Sequence, residues 1–216
     1  EIAFFALQKK HGKDPRYQEK LKIAGLRGKE QFQGALSRYD LASHFEKGKI
    51  VFHTGGWGAG EIVEVSFVRE NLVIEFENVS GRKDVSFANA FKTLVPLPDT
   101  HFLARRFVDA DRLEKEGRED PAGLIRLLLR DLGPQTAAGI RDELIDLVIP
   151  EKDWNKWWQA ARAKIKKDPF IETPESLKEA FVLRRAKLTP EEQLGRVLAQ
   201  QQDLSELIQS IYNFIR

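Results

Sequence analysis

The stretch "HTGGWGAGEIVEV", residues 53–65, places four glycines and one tryptophan within six residues and then runs into an alternation of apolar and polar residues. A glycine-rich loop of this kind can cradle a phosphate, or it can form a tight turn in a small β-barrel. Phosphate-binding fingerprints need either a lysine after the last glycine or a helix that opens on the glycines. Here Gly56, Gly58 and Gly60 open a strand-like run, so no helix N-terminus is offered to an anion. The pattern favours a turn in a barrel.

Trp57 is harder to place, because it is a large ring among residues without side chains. Two interpretations stay open: the ring covers the barrel core, or it is offered to a partner. If the ring is offered, Trp57→Ala should lower affinity for the partner and leave the melting temperature nearly unchanged. We predict a partner-binding surface around this loop, and its residues are His53, Gly55, Gly56, Trp57, Gly58 and Gly60.

Residues 48–97 carry period-two patterning. The third of four short runs, "NLVIEFE", alternates Leu72, Ile74 and Phe76 with Val73 and Glu75, and turn residues separate the runs. No segment between the runs is long enough for a crossover helix, which predicts an antiparallel meander. Closure into a barrel would protect its edges. "ANAFKTLVPL", which follows the fourth run, is expected to add a helical turn and a closing strand. The predicted fold class is α+β, with a small antiparallel β-barrel inserted between helical segments.

The flanking regions, residues 1–47 and 98–216, carry helical patterns. The first could be a helical hairpin or the last unit of a repeat array. In the second, "PAGLIRLLLRDLGP" has Pro121 at its start and Gly133 at its end, which are ordinary helix boundary signals. Two further helices are predicted after Thr189, whereas residues 168–188 contain two prolines and predict an irregular crossing loop.

A second candidate surface comes from the helix predicted in "EKDWNKWWQAARAKIKKDP", residues 151–169. Trp154, Trp157 and Trp158 have the i, i+3, i+4 spacing of one helical face, which favours a core stripe. The alternative is an aromatic and basic surface for single-stranded nucleic acid, and residues 151–167 carry six basic and two acidic side chains. Possible basic contacts are Arg105, Arg106, Lys164, Lys166 and Lys167.

Composition narrows the function classes. The 216-residue chain has a formal net charge of +2, so any basic surface must be local, and it has no cysteine, so disulfides and thiolate metal sites are excluded. The four histidines show no metal-ligand spacing, and no nucleophile elbow is present. We therefore expect no metal, no cofactor, no enzymatic activity and no membrane segment, in a cytoplasmic protein. Because methionine is absent, we also expect a segment of a longer protein.

The segment Phe45–Asn78 resembles the small Tudor-like barrel of the CarD type. The resemblance lies in the opening "GKIV", residues 48–51, and in the turn "GAGEI", residues 58–62. Barrels of this type interact with RNA polymerase, so the resemblance implies that RNA polymerase is the partner.

Sequences around the barrel extend this resemblance. "HTGGWGAGEI", "DTHFLARRF", "DPAGLIRLLLRDLGP" and "DWNKWWQAARAKIKKDP" together resemble the long N-terminal extension of some Gre-type transcript-cleavage and elongation factors, notably chlamydial ones. Gre-type factors act through a long coiled coil with acidic residues at its tip, and no helix predicted here is long enough. The acidic pair Glu119 and Asp120 precedes Pro121, which is typical of a helix cap.

The resemblance thus implies a non-catalytic RNA polymerase-binding region that uses the barrel and its glycine-tryptophan loop. The alternative, from the residues themselves, is a module that binds DNA or RNA directly through the tryptophan helix and the paired arginines.

Overall fold

The computed structural model describes residues 2–26, 34–176, 178–184 and Gly195. The chain divides into two compact units, Glu1–Val108 and Asp109–Arg216. The first eleven residues of the predicted helical region 98–216, residues 98–108, therefore fall in the first unit. The division into three regions by sequence pattern stays a prediction.

A five-stranded antiparallel sheet forms the centre of the first unit. Its strands are β1 (Ile50–His53), β2 (Gly58–Ser66), β3 (Asn71–Phe76), β4 (Val79–Ser86) and β5 (Leu94–Leu97). The spatial order is β4-β3-β2-β1-β5. All four predicted runs form strands, and the predicted helical turn and fifth strand follow them.

The predicted alternation places the core residues of the sheet. Leu72, Ile74 and Phe76 of β3 are buried, whereas Glu75 between them is exposed. Strand β2 departs from strict alternation, since its pairing with β3 shifts register between Ile62 and Glu64. Such a bulge bends the strand and increases its twist.

The expected closed barrel is not observed. Closure would require hydrogen bonds between β4 and β5, but within the described residues these two strands are the edges of the sheet. Strand β5 pairs with β1 through Ile50 opposite Leu97 and Val51 opposite Pro96. It has only four residues, and Pro96 has no N–H to donate to a further strand. The sheet is therefore open.

Five helices accompany this sheet in the described part of the first unit. They are α1 (Ile2–His11), α2 (Tyr17–Ile23), α3 (Ala35–Ser43), α4 (Phe87–Thr93) and α5 (Phe102–Val108). Leu41 of α3 and Phe45 just after it belong to the same buried cluster as Val51, Ile62 and Leu72 of the sheet. Tyr17 and Tyr39 meet edge to face at 5.9 Å, so α2 and α3 pack together as the sequence predicts for a helical hairpin.

The second unit contains helices and a small sheet. Its elements are α6 (Ala110–Glu119), α7 (Pro121–Leu132), β6 (Gln135–Thr136), α8 (Ala137–Leu144), α9 (Glu151–Ile165), β7 (Ile171–Glu172) and β8 (Ala180–Leu183). The three short strands pair antiparallel in the order β6-β8-β7. The prediction of an irregular crossing loop over residues 168–188 was thus wrong, because β7 and β8 lie there. The two helices predicted after Thr189 lie outside the described residues.

Local signals set the ends of α7 as expected. Asp120 accepts a hydrogen bond from the Gly123 N–H at 3.0 Å, Pro121 is the first helical residue, and Gly133 follows the last turn with a φ of +79°. In the part of the chain that the structure describes, no helix has both the length and the apolar character needed to cross a membrane.

Candidate partner-binding surface

The glycine loop is the connection between β1 and β2. His53 pairs with Gly58 at the end of the ladder, so residues 54–57 form the turn. Gly55 and Gly56 are exposed. Gly56 and Gly58 have φ values of +93° and +77°, which disfavour side chains with a Cβ. The loop is therefore a hairpin turn that presents backbone groups to solvent, as the strand-like sequence after it predicts.

Two glycines of the loop are required by close packing. A Cβ on Gly58 would collide with the carboxylate of Glu77, and a Cβ on Gly60 would lie 2.5 Å from Phe76 Cδ1 and 2.8 Å from the Glu75 carbonyl oxygen. Both glycines are buried. They allow β2 to approach β3 closely, which fixes the base of the loop.

Trp57 is half-buried and packs against the core of the sheet. Its ring stacks on His53 with centroids 4.2 Å apart and an interplanar angle of 12°, and it meets Phe76 edge to face at 5.3 Å. The ring therefore covers one end of the core and keeps part of its surface in solvent. The structure thus supports the interpretation that the ring covers the core, whereas a contact between its exposed part and a partner stays a prediction.

His53 is buried at the base of the loop and contacts two of its residues, Gly55 and Trp57. It is only 8% exposed, and its Nδ1 accepts a hydrogen bond from the Gly55 N–H at 3.1 Å. Burial lowers the pKa of His53 below its usual 6.5. An Nδ1 that accepts this hydrogen bond requires the neutral ring with its proton on Nε2, and the lowered pKa favours the same neutral form.

Glu77 links the loop to helix α5. Its Oε1 accepts hydrogen bonds from the Ala59 N–H at 2.9 Å and from Arg106 Nη2 at 3.1 Å, and its Oε2 lies 3.2 Å from the same Nη2. The Arg106 side chain is 9% exposed, and its guanidinium lies 5.6 Å from the centre of the Phe102 ring. Arg106, predicted as a basic contact, is engaged within the first unit, and Arg105 beside it is half-buried.

The other predicted basic residues lie on or just after α9. Lys164, Lys166 and Lys167 are exposed, and Lys164 Nζ donates to the Glu119 carbonyl at 3.2 Å. The tryptophans of the same helix form a core stripe: Trp154 and Trp157 are 5% and 6% exposed. Trp157 Nε1 donates to the buried Gly117 carbonyl at 2.9 Å. These two rings do not present faces on which bases could stack.

Comparison with known proteins identifies relatives of this chain. The chain is 48% identical to "Transcription elongation factor GreA" of Chlamydia pneumoniae over 216 residues, which are all of this chain and 30% of that protein. It is 46% identical to the protein of the same name from Chlamydia trachomatis over 208 residues, 96% of this chain and 29% of that protein. The chain is related to chlamydial GreA. It spans about 30% of the length of these GreA relatives.

A family model described as the GRAD helix-turn-helix domain matches residues 103–188. The match begins within α5 and runs past β8, so it includes the tryptophan helix α9. No solved structure matches the chain significantly. The relation to GreA confirms the resemblance of the chain to Gre-type factors. The sequence analysis did not predict the helix-turn-helix domain.

Sequence reasoning also missed Glu77, which supports the predicted surface. It lies in a turn between β3 and β4, and its partners Ala59 and Arg106 are 18 and 29 residues away. No local pattern marks such a residue. Whether His53, Trp57 and the loop glycines touch a partner stays a prediction.

Proposed function

We propose that this chain is a non-catalytic RNA polymerase-binding region of a Gre-type transcription elongation factor, and that the glycine loop and a sheet edge make the contact. The observation that carries the proposal is the relation to two GreA proteins over 96% or more of this chain. A polymerase partner implies a location in the bacterial cytoplasm.

The loop has the properties of a protein contact. Thr54, Gly55 and Gly56 are exposed, and the half-buried Trp57 stacks on His53. Rigid aromatic side chains at the centre of an interface commonly carry much of its binding energy. A partner can fit around the loop without first ordering it, because Glu77 and His53 already hold its base.

The open sheet offers a second element of contact. Strand β4 is an edge of eight residues, Val79–Ser86, and the other edge, β5, contains Pro96. An exposed edge can accept an additional strand from a partner. Because β4 has no proline, it is the better acceptor of the two. The four-strand meander β1–β4, followed by a helical turn and a fifth strand that pairs with β1, supports a Tudor-like module of the CarD type.

The proposal assigns neither a catalytic residue nor a cofactor. The acidic pair Glu119 and Asp120 is not assigned the role of a coiled-coil tip, because Asp120 is the N-cap of α7 and has an additional ion pair to Arg126 at 3.2 Å. An acid engaged in this way is positioned for stabilising a helix. We therefore expect the 216-residue chain to bind polymerase without stimulating transcript cleavage.

The test is binding to purified bacterial RNA polymerase, measured by pull-down and titration at low and high salt. Trp57→Ala should reduce affinity about tenfold or more, since it removes the aromatic anchor. Because Trp57 also packs on the core, the substitution should cost about 1–3 kcal/mol of stability. A fully exposed Trp57 ring would instead leave the melting temperature nearly unchanged. Because the variant is expected to be less stable, binding must be measured well below its melting temperature.

Trp158→Ala is the matched control. Trp158 is also a half-buried indole, and it packs against Trp154 at 5.6 Å and Phe181 at 6.0 Å in the second unit. The Trp158→Ala variant should lose about as much stability as Trp57→Ala and should keep the wild-type affinity for polymerase. The proposal is wrong if the wild-type chain does not bind polymerase, or if the two variants weaken binding equally.

A further inference from the structure

The second unit has the element order of a winged helix-turn-helix. From α7 onward the chain runs helix, strand, helix, helix, strand, strand, and its sheet has the order β6-β8-β7. The two consecutive helices are α8 and α9, joined by residues 145–150. In a helix-turn-helix the second helix of such a pair is the one that enters the DNA major groove. By this order, α9 occupies that position.

The two sides of α9 differ sharply in chemistry. One side is buried and carries Trp154, Trp157, Ala161 and Ile165. The opposite side is exposed and contains no acidic residue; we call it the lysine surface, and it consists of Lys152, Asn155, Lys156, Gln159, Ala163, Lys166 and Lys167. Its four lysines run from Lys152 to Lys167, about 22 Å at 1.5 Å per residue, and the last two lie just past the end of α9 at Ile165. None of the four has an ion-pair partner within the described residues.

The acidic residues that flank the lysine surface are each paired with an arginine of another helix: Asp153 with Arg118 at 2.7 Å, Glu151 with Arg141 at 4.0 Å, and Asp168 with Arg126. These pairings direct the acidic side chains toward α6, α7 and α8. The positive charge of the lysines is therefore not neutralised by direct contact with the neighbouring acids.

We propose that the lysine surface binds the phosphate backbone of duplex DNA, with α9 lying in the major groove. The major groove of B-form DNA is about 12 Å wide and admits an α-helix. Double-stranded RNA is a poorer fit, because its major groove is deep and narrow. Single-stranded nucleic acid needs exposed aromatic faces, and the most suitable rings, Trp154 and Trp157, are buried.

The β7–β8 connection limits the strength of this contact. Among the residues flanking or within it, Glu172, Glu175 and Glu179 are acidic and Lys178 is basic, so this connection does not add a second phosphate contact. Binding should therefore be independent of sequence, with a Kd of about 10⁻⁴–10⁻⁶ M at physiological salt. This activity goes beyond polymerase binding and does not depend on it.

The test is fluorescence anisotropy of a labelled duplex of mixed sequence, titrated with the 216-residue chain in the absence of polymerase. Each neutralised phosphate contributes a slope of about −0.9 in log K against log salt, so four lysines predict a slope of about −3.6. Affinity should thus fall about 100-fold between about 50 and 200 mM salt. The combined variant Lys152→Gln, Lys156→Gln, Lys166→Gln and Lys167→Gln should bind weakly, with a slope near zero.

A charge-matched control separates the lysine surface from the effect of net charge. It changes four exposed lysines of the first unit: Lys13→Gln, Lys22→Gln, Lys47→Gln and Lys92→Gln. This variant should keep the wild-type slope, and circular dichroism melts should show that both variants are folded.

Three results would overturn the inference: no binding by the wild-type chain at low salt, equal loss of binding in both variants, or tighter binding to single strands or duplex RNA. None of these results bears on the polymerase pull-down, so the two proposals can fail separately.

Discussion

At the residue scale, glycines decide how closely elements approach each other. Gly117 lies inside α6, where glycine is unfavourable, because a Cβ there would lie 2.5 Å from Leu124 Cδ2. Its carbonyl also accepts the Trp157 indole N–H. The loop glycines 58 and 60 serve the same purpose beside β3. A turn pattern in the sequence points to the loop glycines, but nothing local indicates the partner of Gly117.

His53 should make the first unit sensitive to mild acid. Burial lowers its pKa in the folded state below 6.5, so the unfolded state binds more protons once the pH falls below that value. The stabilisation is complete above about pH 6.5 and is lost as the pH falls through the folded-state pKa. The melting temperature of the wild-type chain should therefore decrease as the pH is lowered from about 7.5 to about 5.5.

His53→Gln is the comparison that isolates this effect. The pKa of His11 is also lowered, chiefly by burial, and its contribution is common to both proteins. The glutamine variant should be less stable at neutral pH, since it loses the stack on Trp57, but its melting temperature should depend less on pH. An equal pH dependence in the two proteins would contradict the assignment.

At the element scale, caps and pairing register determine where helices and strands begin and end. Asp120, Pro121 and Gly133 bound α7, and Thr136 caps α8 by accepting from the Gly139 N–H at 3.1 Å. The β1–β2 hairpin ends where His53 meets Gly58. These features depend on residues within a few positions of one another, which is why the sequence predicts most of them.

Asp120→Ala should destabilise the second unit by about 1 kcal/mol, because it removes the side-chain acceptor for the Gly123 N–H. Chemical denaturation measures this as a lower midpoint with an unchanged slope. Asp120→Asn keeps a good N-cap and loses the charge opposite Arg126, an exposed pair of small value. If asparagine costs as much as alanine, the ion pair and not the cap supports the helix.

At the scale of the whole molecule, each unit has its own buried core. In the first, α3 and α4 residues join the sheet around Phe45, Ile62 and Ile74. In the second, α7 contributes Leu124, Ile125, Leu128 and Leu129, and α9 contributes its tryptophans. A unit with its own core can in principle fold alone.

We therefore expect the fragments 1–108 and 109–216 to fold separately. Circular dichroism of the first should combine strand and helix signals, and that of the second should be mainly helical. Each should melt in one cooperative transition. A fragment with no cooperative transition would show that its core needs the other half of the chain.

Much of the first unit could be predicted from sequence, and less of the second. The burial of Leu72, Ile74 and Phe76 follows from period-two alternation. By contrast, β6 and β7 have two residues each, which is too short to produce a detectable pattern. Their pairing with β8 depends on residues more than 40 positions apart in the case of Gln135 and Phe181.

The sequence by itself determined the local features: the four strand runs, the glycine turn, the boundaries of α7 and the burial of the tryptophan stripe. Each depends on side-chain periodicity or on chemistry within a few residues. Only the tertiary structure decided that the sheet stays open, that Trp57 packs on Phe76, and that Arg106 is paired with Glu77. It also decided that the lysines of the lysine surface have no ion-pair partner among the residues that the structure describes. These depend on contacts between residues distant in the chain, which packing brings together and no local pattern records.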